Sequence, residues 1–448
     1  MVSTMTVSRW VSVSTAVACA LGAVALPAVS AQARTVPGAG ARLTAASFCD
    51  PPKRLPTANG AVIRSAPANL AVAINLPLIH GPLPGTGTLM MYKSTDNNGL
   101  PVAVTGTYIE PSTPWPGPGD RPLVSFAEGT QGQGDQCAPS VGLMKGVVVT
   151  GQLINTPYEI PFIYQLLSKG VAVVMTDYVG LGTTDRLHTY IDRLDQGHAV
   201  LDAARAAKRL AGTSLTRASK VATYGYSQGG GAAASAAELA PTYAPDVPLV
   251  GSYAGAPPAD LVAVTRGIDG TLLTGAIGWA LNGFVQSHPD LKPVIAANVS
   301  PAGVTALTRL STMCTVDASG AYAFHHTSEW TTSGRSISDI IAGIPVAKAV
   351  LDDQRIGRLK PTTPVRIATG TLDDLVPHPQ ARQLAVDCCA RGATVDYVPV
   401  TQLLPTGGTG FNHIGPAVSD SGAAQQWVLD RFAGKPVTGN CSSVARLP

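Results

Sequence analysis

The chain has 448 residues, 45% of them hydrophobic, and a formal net charge of only +3. That is ample apolar material for a large core, and the small charge without any long Lys/Arg cluster speaks against a nucleic-acid partner. Charged residues make up 13% of the chain, against roughly a quarter in ordinary soluble domains.

The first segment sets Arg9 before the apolar stretch WVSVSTAVACALGAVALPAV, which runs into SAQA with an A-x-A pattern at Ala31–Ala33. This is the layout of a secretory signal peptide. A membrane anchor is disfavoured, because the apolar core is short and is broken by serines and Pro27. Residues 1–33 therefore read as a leader removed near Ala33, leaving a secreted chain with no transmembrane segment. Residues 34–60, rich in Ala, Pro and Gly, read as a loosely structured arm. Cys19 departs with the leader, and Cys49, Cys137, Cys314, Cys388, Cys389 and Cys441 remain. An even number in an exported chain favours disulfides. The lack of a C-x-x-C pair weakens a zinc or redox reading.

Short β-branched runs follow: Pro101–Glu110, Pro122–Thr130 and Val171–Gly180. Each has the length of a buried strand and ends in turn residues. Helical patterns lie between them. EIPFIYQLLSKG stops at Lys169-Gly170, and DQGHAVLDAARAAKRLAG stops at Gly212. KVATYGYS and VPLVGSYAG continue the alternation, which then breaks off at Pro257. It resumes after Pro361 with PVRIATG, TVDYVPV and a last helix near GAAQQWVLDRFAG. Alternating strands and helices predict an α/β fold with a mostly parallel sheet covered on both faces. The core is then 61–256 and 362–441, and residues 257–361 form an insertion above the sheet.

In GYSQG, Gly225-x-Ser227-x-Gly229 matches the pattern of a nucleophile held on a tight strand-to-helix turn. A serine hydroxyl needs a base, and the base needs an orienting carboxylate. In this arrangement the order along the chain is Ser, then Asp or Glu, then His. PVRIATGTLDDLVP offers Asp373, with Asp374 as rival, directly after a strand. His413, in GTGFNHIGPA, is the histidine expected in the loop before the last helix. The start of the helix after Ser227 suggests the Gln228 N–H as an oxyanion donor. The loop Glu128–Thr130 suggests Gly129 as the second. No spacing supports a metal or a bound cofactor.

Several segments together resemble the secreted lipase family of the yeast lipase-A type, which has many bacterial members. They are EGTQG…DQCAPS, DYVGLGT, VLDAARAAKRL, YGYSQGG, GTLDDLVP, His413 and the tail from Trp427 through DRFAG to Cys441. The resemblance implies an α/β-hydrolase fold with a helical cap over 257–361, acting on triacylglycerols and simpler esters, with transient contact to a lipid surface. It implies Ser227 as nucleophile, Asp373 as acid, His413 as base, and Gln228 and Gly129 as oxyanion donors. One departure is Gly129 itself, where the yeast enzyme carries an acidic side chain. The resemblance also implies Cys137–Cys314 and a bridge from Cys388 or Cys389 to Cys441, which leaves the spare thiol to tie down Cys49. Two other functions would use the same fold: an acyltransferase with the same triad, and a binding protein without catalysis.

Overall fold

The strand-forming runs assemble because each is apolar on both sides of its pleat. Along Leu123–Ala127, Leu123 and Ala127 enter one core cluster, while Val124 and Phe126 enter another. Ala172 and Val174 alternate in the same way with Val173 and Met175. A period of two with both faces apolar marks a strand buried between two layers.

The computed structural model describes residues 48–448 except 72, 77–78, 147, 151–152, 156 and 402–406. The predicted leader and residues 34–47 of the arm lie outside the described residues. The central sheet has nine strands, numbered here along the chain: β1 Val62–Ala68, β2 Gly85–Thr95, β3 Pro101–Pro111, β4 Leu123–Ala127, β5 Ala172–Thr176, β6 Val221–Tyr226, β7 Leu249–Gly255, β8 Val365–Gly370 and β9 Val395–Val400. In space they run β1-β2-β3-β5-β4-β6-β7-β8-β9. Pairing is antiparallel from β1 to β5 and parallel from β5 to β9. The parallel part and its crossover helices are those predicted. Strands β1 and β2 were not foreseen, since Arg64, Ser65 and the Gly/Thr start of β2 blur their apolar pattern.

Helices Arg193–Ala207 and Gln228–Tyr243 cover one face of the sheet, and Ile160–Ser168 and Ser421–Phe432 cover the other. The first begins on Asp192, whose Oδ1 accepts the N–H groups of Leu194 and Asp195. Such a cap is worth about 1 kcal/mol.

Between β7 and β8 the chain forms seven α-helices and no strand: Leu261–Ile268, Gly275–Ser287, Lys292–Asn298, Pro301–Leu310, Thr315–Tyr322, Ile337–Ala342 and Pro345–Asp353. Their apolar centre includes Trp279, which is fully buried against Tyr190 and donates its indole N–H to Leu310 O at 2.9 Å.

Two expectations need correction. Residues 48–60 are not loose: Phe48 is buried with Met91 and Ala103, and the Gly60 N–H donates to Lys93 O at 2.8 Å. The third disulfide is also missing. Cys137–Cys314 and Cys389–Cys441 are formed, but Cys49 and Cys388 are unbridged. Successive residues of a helix point about 100° apart, so Cys389 can reach the tail while Cys388 packs inward with Leu384 and Ala385.

Candidate active site

Ser227 stands between β6 and helix Gln228–Tyr243 with φ 58° and ψ −123°. A residue with a Cβ pays roughly 1–3 kcal/mol for such a conformation. Its surroundings impose it. The Ser227 N–H donates to Gly255 O on β7 at 2.9 Å. A Cβ on Gly225 would lie 2.2 Å from Gly229 O, and a Cβ on Gly229 would lie 1.9 Å from Ala127 O. Neither position has room for a side chain, so the spacing G-x-S-x-G has a steric cause.

His413 does not lie in a loop, as expected, but in the first turn of helix Phe411–Ser419. Asp374 accounts for that helix start. Its Oδ2 accepts the N–H groups of Thr409 and Gly410, each at 3.0 Å, and its Oδ1 accepts that of His413 at 3.1 Å. The Thr409 and Gly410 N–H groups would otherwise lack partners, the His413 N–H is shared with Gly410 O at 3.1 Å, and a carboxylate suits the positive end of a helix. The Tyr226 hydroxyl donates to His413 O at 2.6 Å, which ties this turn to the strand before Ser227.

The three predicted side chains meet in one line. His413 Nε2 lies 2.9 Å from Ser227 Oγ, and His413 Nδ1 lies 2.8 Å from Asp373 Oδ2. The Asp373 side chain is fully buried, and its Oδ1 accepts the N–H groups of Leu375 at 3.0 Å and Val376 at 2.8 Å. Asp373 therefore faces the imidazole, whereas Asp374 holds the segment that carries it. With Asp373 accepting from Nδ1–H, Nε2 is left to accept the serine proton.

The two predicted oxyanion donors differ. The Gln228 N–H opens its helix and has no acceptor among the described residues, while its side-chain Nε2 lies 3.3 Å from His188 Nε2. The Gly129 N–H is engaged: it donates to Glu159 Oε2 at 2.5 Å. A Cβ at Gly129 would also fall 2.4 Å from Tyr158 Oη. Its predicted role therefore meets a competing acceptor. Sequence reasoning passed over Glu159, whose only signal was an acid opening an apolar helix. Burial pushes the Glu159 carboxyl up to about 8. Burial, and then the Glu159 carboxyl, hold Glu128 well above the usual range.

A cavity of about 350 Å³ opens over Ser227 and His413. Thr130, Glu159, Phe162 and Ile414 line it from the core, and Leu273 and Thr315 from the inserted helices. Among the described residues no cluster of three or more His, Cys, Asp or Glu could hold a metal, and no helix is long and apolar enough to cross a membrane.

The profile of the secretory lipase family matches residues 148–440. A Mycobacterium tuberculosis (strain CDC 1551 / Oshkosh) protein named "probable inactive lipase" is 32% identical over 379 residues, spanning 85% of this chain and 80% of its own. Lipase 2 of Candida albicans is 29% identical over 367 residues, spanning 80% and 74%. Candida antarctica lipase A in its closed state superposes with a TM-score of 0.72 over 86% of this chain and 85% of its own, at 21% identity. The rice cell wall degrading esterase LipA from Xanthomonas oryzae gives 0.67 over 84% and 100%, at 18% identity. The nine-stranded, mostly parallel sheet with its helices is thus an α/β-hydrolase fold. On the family match and the extent of these likenesses, the chain belongs to the secretory lipase family.

Proposed function

We propose that the protein is a secreted serine hydrolase that cleaves lipid or simpler carboxylic esters through an acyl-enzyme. The observation that carries this reading is the unbroken line Ser227 Oγ, His413, Asp373 at the floor of a largely apolar cavity. His413 Nε2 takes the Ser227 proton as Oγ attacks the ester carbonyl. Asp373 keeps the proton on Nδ1 and stabilises the imidazolium that forms. The same histidine then gives its proton to the leaving alcohol and activates a water that releases the acid.

The developing oxyanion is received by the Gln228 N–H at the helix start. Gly129 can add its N–H only by leaving Glu159. The adjoining Thr130 N–H, which donates to nothing among the described residues, is the other candidate on that loop. The inserted helices act as a cap, supplying Leu273 and Thr315 to the cavity wall. Phe411, Ile414 and Val418 are exposed on the helix that carries His413, and Ile414 and Val418 also line the cavity. An apolar rim of this kind suits an acyl chain and brief contact with a lipid surface.

One relative carries the word inactive in its name, so turnover is the deciding measurement. Purified mature protein should hydrolyse p-nitrophenyl butyrate, and Ser227→Ala should lose about 10⁴–10⁶ in rate while keeping its melting transition. Near wild-type turnover by Ser227→Ala would remove this reading.

A further inference from the structure

Two glutamates beside the nucleophile have no part in the mechanism above. Glu128 follows β4 and Glu159 precedes helix Ile160–Ser168; they are 0% and 1% exposed. No arginine or lysine is among the groups acting on either one. Asp177 pushes Glu128 further up, and the neighbouring ionisable groups are Tyr158, Tyr178, Tyr190 and Tyr224, with His413 across the cavity. The two carboxyl groups act on each other with no cation beside them, and two buried carboxyls so placed need a proton on at least one. Glu128 Oε2 and Glu159 Oε1 are the oxygens without a donor. The remaining two are used: Glu128 Oε1 accepts from Gln131 Nε2 at 3.2 Å, and Glu159 Oε2 accepts the Gly129 N–H. Both donors belong to the loop that runs past Ser227.

We propose that Glu128 and Glu159 form a proton-sharing pair that positions the Glu128–Gln131 loop against the nucleophile, so that ester turnover requires the pair to keep its proton. The proposal rests on the serine hydrolase reading above. Two carboxylates cannot both ionise in one buried site without strong repulsion. Loss of the shared proton drives β4's end and the start of helix Ile160–Ser168 apart. It also sets a second negative charge beside a developing oxyanion. Both effects lower kcat and leave KM nearly alone, because they act on the transition state rather than on the apolar wall that holds the substrate. Glu159 is the member that ionises first, at about 8, and leaves the shared proton on Glu128, which burial and the Glu159 carboxyl hold up, so loss of the shared proton falls above pH 8. The sign is that of an acid held neutral: the active, protonated pair persists below that pH and vanishes above it. Glu128 and Glu159 are positioning residues here, acting through the loop.

The test is the pH profile of kcat on p-nitrophenyl butyrate for wild type, Glu159→Gln and Glu159→Ala. Glutamine can accept the Gly129 N–H and donate to Glu128, so it imitates the protonated acid without titrating. Wild type should lose activity above about pH 8, and Glu159→Gln should not. Glu159→Ala should lose about 10²-fold in kcat, the scale expected when a positioned group shifts by about 1 Å, and Glu159→Gln should recover most of that loss. An alkaline limb that persists unchanged in Glu159→Gln overturns the proposal. A readout independent of turnover separates this from the hydrolase reading. Infrared spectra of the Ser227→Ala protein should show a protonated carboxyl band at neutral pH that shifts in Ser227→Ala/Glu159→Gln, where the partner of that carboxyl has changed. Absence of that band sinks the pair even if the enzyme is active; its presence in an inactive protein leaves the pair standing and removes the hydrolase.

Discussion

Replacing Asp373 by Asn and Asp374 by Ala should separate catalysis from support at adjacent positions. Asp373 Oδ2 accepts from His413 Nδ1 at 2.8 Å in a fully buried setting. In Asp373→Asn, Oδ1 can still accept the Leu375 and Val376 N–H groups, so the loop keeps its shape. The amide NH₂ then faces Nδ1 and forces the proton onto Nε2, where it points at Ser227 and can no longer leave it. A tautomer error of this kind costs about 10⁴ in kcat, or roughly 5.5 kcal/mol. Asp374→Ala acts differently. It strips an acceptor from three backbone N–H groups. Asp374 is only partly buried, so water replaces some of those bonds, and the loss of stability should be about 1–3 kcal/mol. Helix Phe411–Ser419 loosens, and a displacement of about 1 Å at His413 costs roughly 10²-fold in rate. The assay is kcat/KM on p-nitrophenyl butyrate alongside thermal melting. Asp373→Asn should be the slower enzyme by about two orders of magnitude, and Asp374→Ala should melt lower. An Asp374→Ala enzyme as slow as Asp373→Asn, with an unchanged melting temperature, would refute the assignment.

Gly229→Ala should lose both activity and stability. Its Cβ would sit 1.9 Å from the Ala127 carbonyl oxygen, and overpacking of this kind costs typically 1–3 kcal/mol; a melting curve matching wild type would argue against the close approach. Leu273→Trp fills part of the cavity over Ser227, so kcat/KM across p-nitrophenyl esters should shift toward shorter chains, and an unmoved optimum would mean Leu273 does not meet the acyl group. Trp279→Ala should instead cost about 3–5 kcal/mol of stability with the preferred chain length kept, since Trp279 is buried away from the cavity lining. Non-reducing peptide mapping should recover Cys137–Cys314 and Cys389–Cys441 and two thiols at Cys49 and Cys388. Removing the first bridge with Cys137→Ser/Cys314→Ser should lower stability by about 2–5 kcal/mol.

The legible parts of this protein are those where a local rule and the tertiary structure agree. Strands β4 to β8 are buried on both faces, so each shows as an apolar run whatever its neighbours, and the edge strand β9, buried at Val395 and Tyr397, still reads by its alternation. Ser227 is announced by its glycines because the nearest clash at Gly225 lies within one strand, one turn and one helix, while that at Gly229 is with Ala127 and Glu128 at the end of β4. Strand β2 was hidden, since Gly85, Gly87 and three threonines carry no apolar signal and its place comes from pairing with β1 and β3. The helix bearing His413 was hidden for a related reason. Its N-terminal support is a carboxylate 39 residues earlier in the chain, and no nearby cap residue marks the start. Glu159 was invisible for the strongest version of that reason: its importance lies in a partner and a backbone N–H that only the folded chain brings to it.

The inserted helices do more than cover the sheet, because they hold both sides of the candidate site. On the Gly129 side, the Gln133 N–H donates to Met313 O at 3.0 Å, and the Thr315 N–H donates to Gln131 O at 3.0 Å. Thr315 Oγ1 adds a bond to Thr130 O at 2.9 Å, and Cys137–Cys314 closes the same corner covalently. On the histidine side, the Leu272 N–H donates to Gly408 O at 2.7 Å, two residues before Gly410 begins the turn that carries His413. Lifting the insertion as one body would break these hydrogen bonds, pull against the Cys137–Cys314 tether and disturb the loop and the helix that make up the site. A lid that opened in this way would disarm the site each time it admitted substrate. Entry is therefore better served by the helix face of Phe411, Ile414 and Val418, which is exposed already and shares Ile414 and Val418 with the cavity wall. On the proposed hydrolase function, an acyl chain arriving there would stay on apolar side chains from the surface to Ser227, and nothing that positions His413 would have to move.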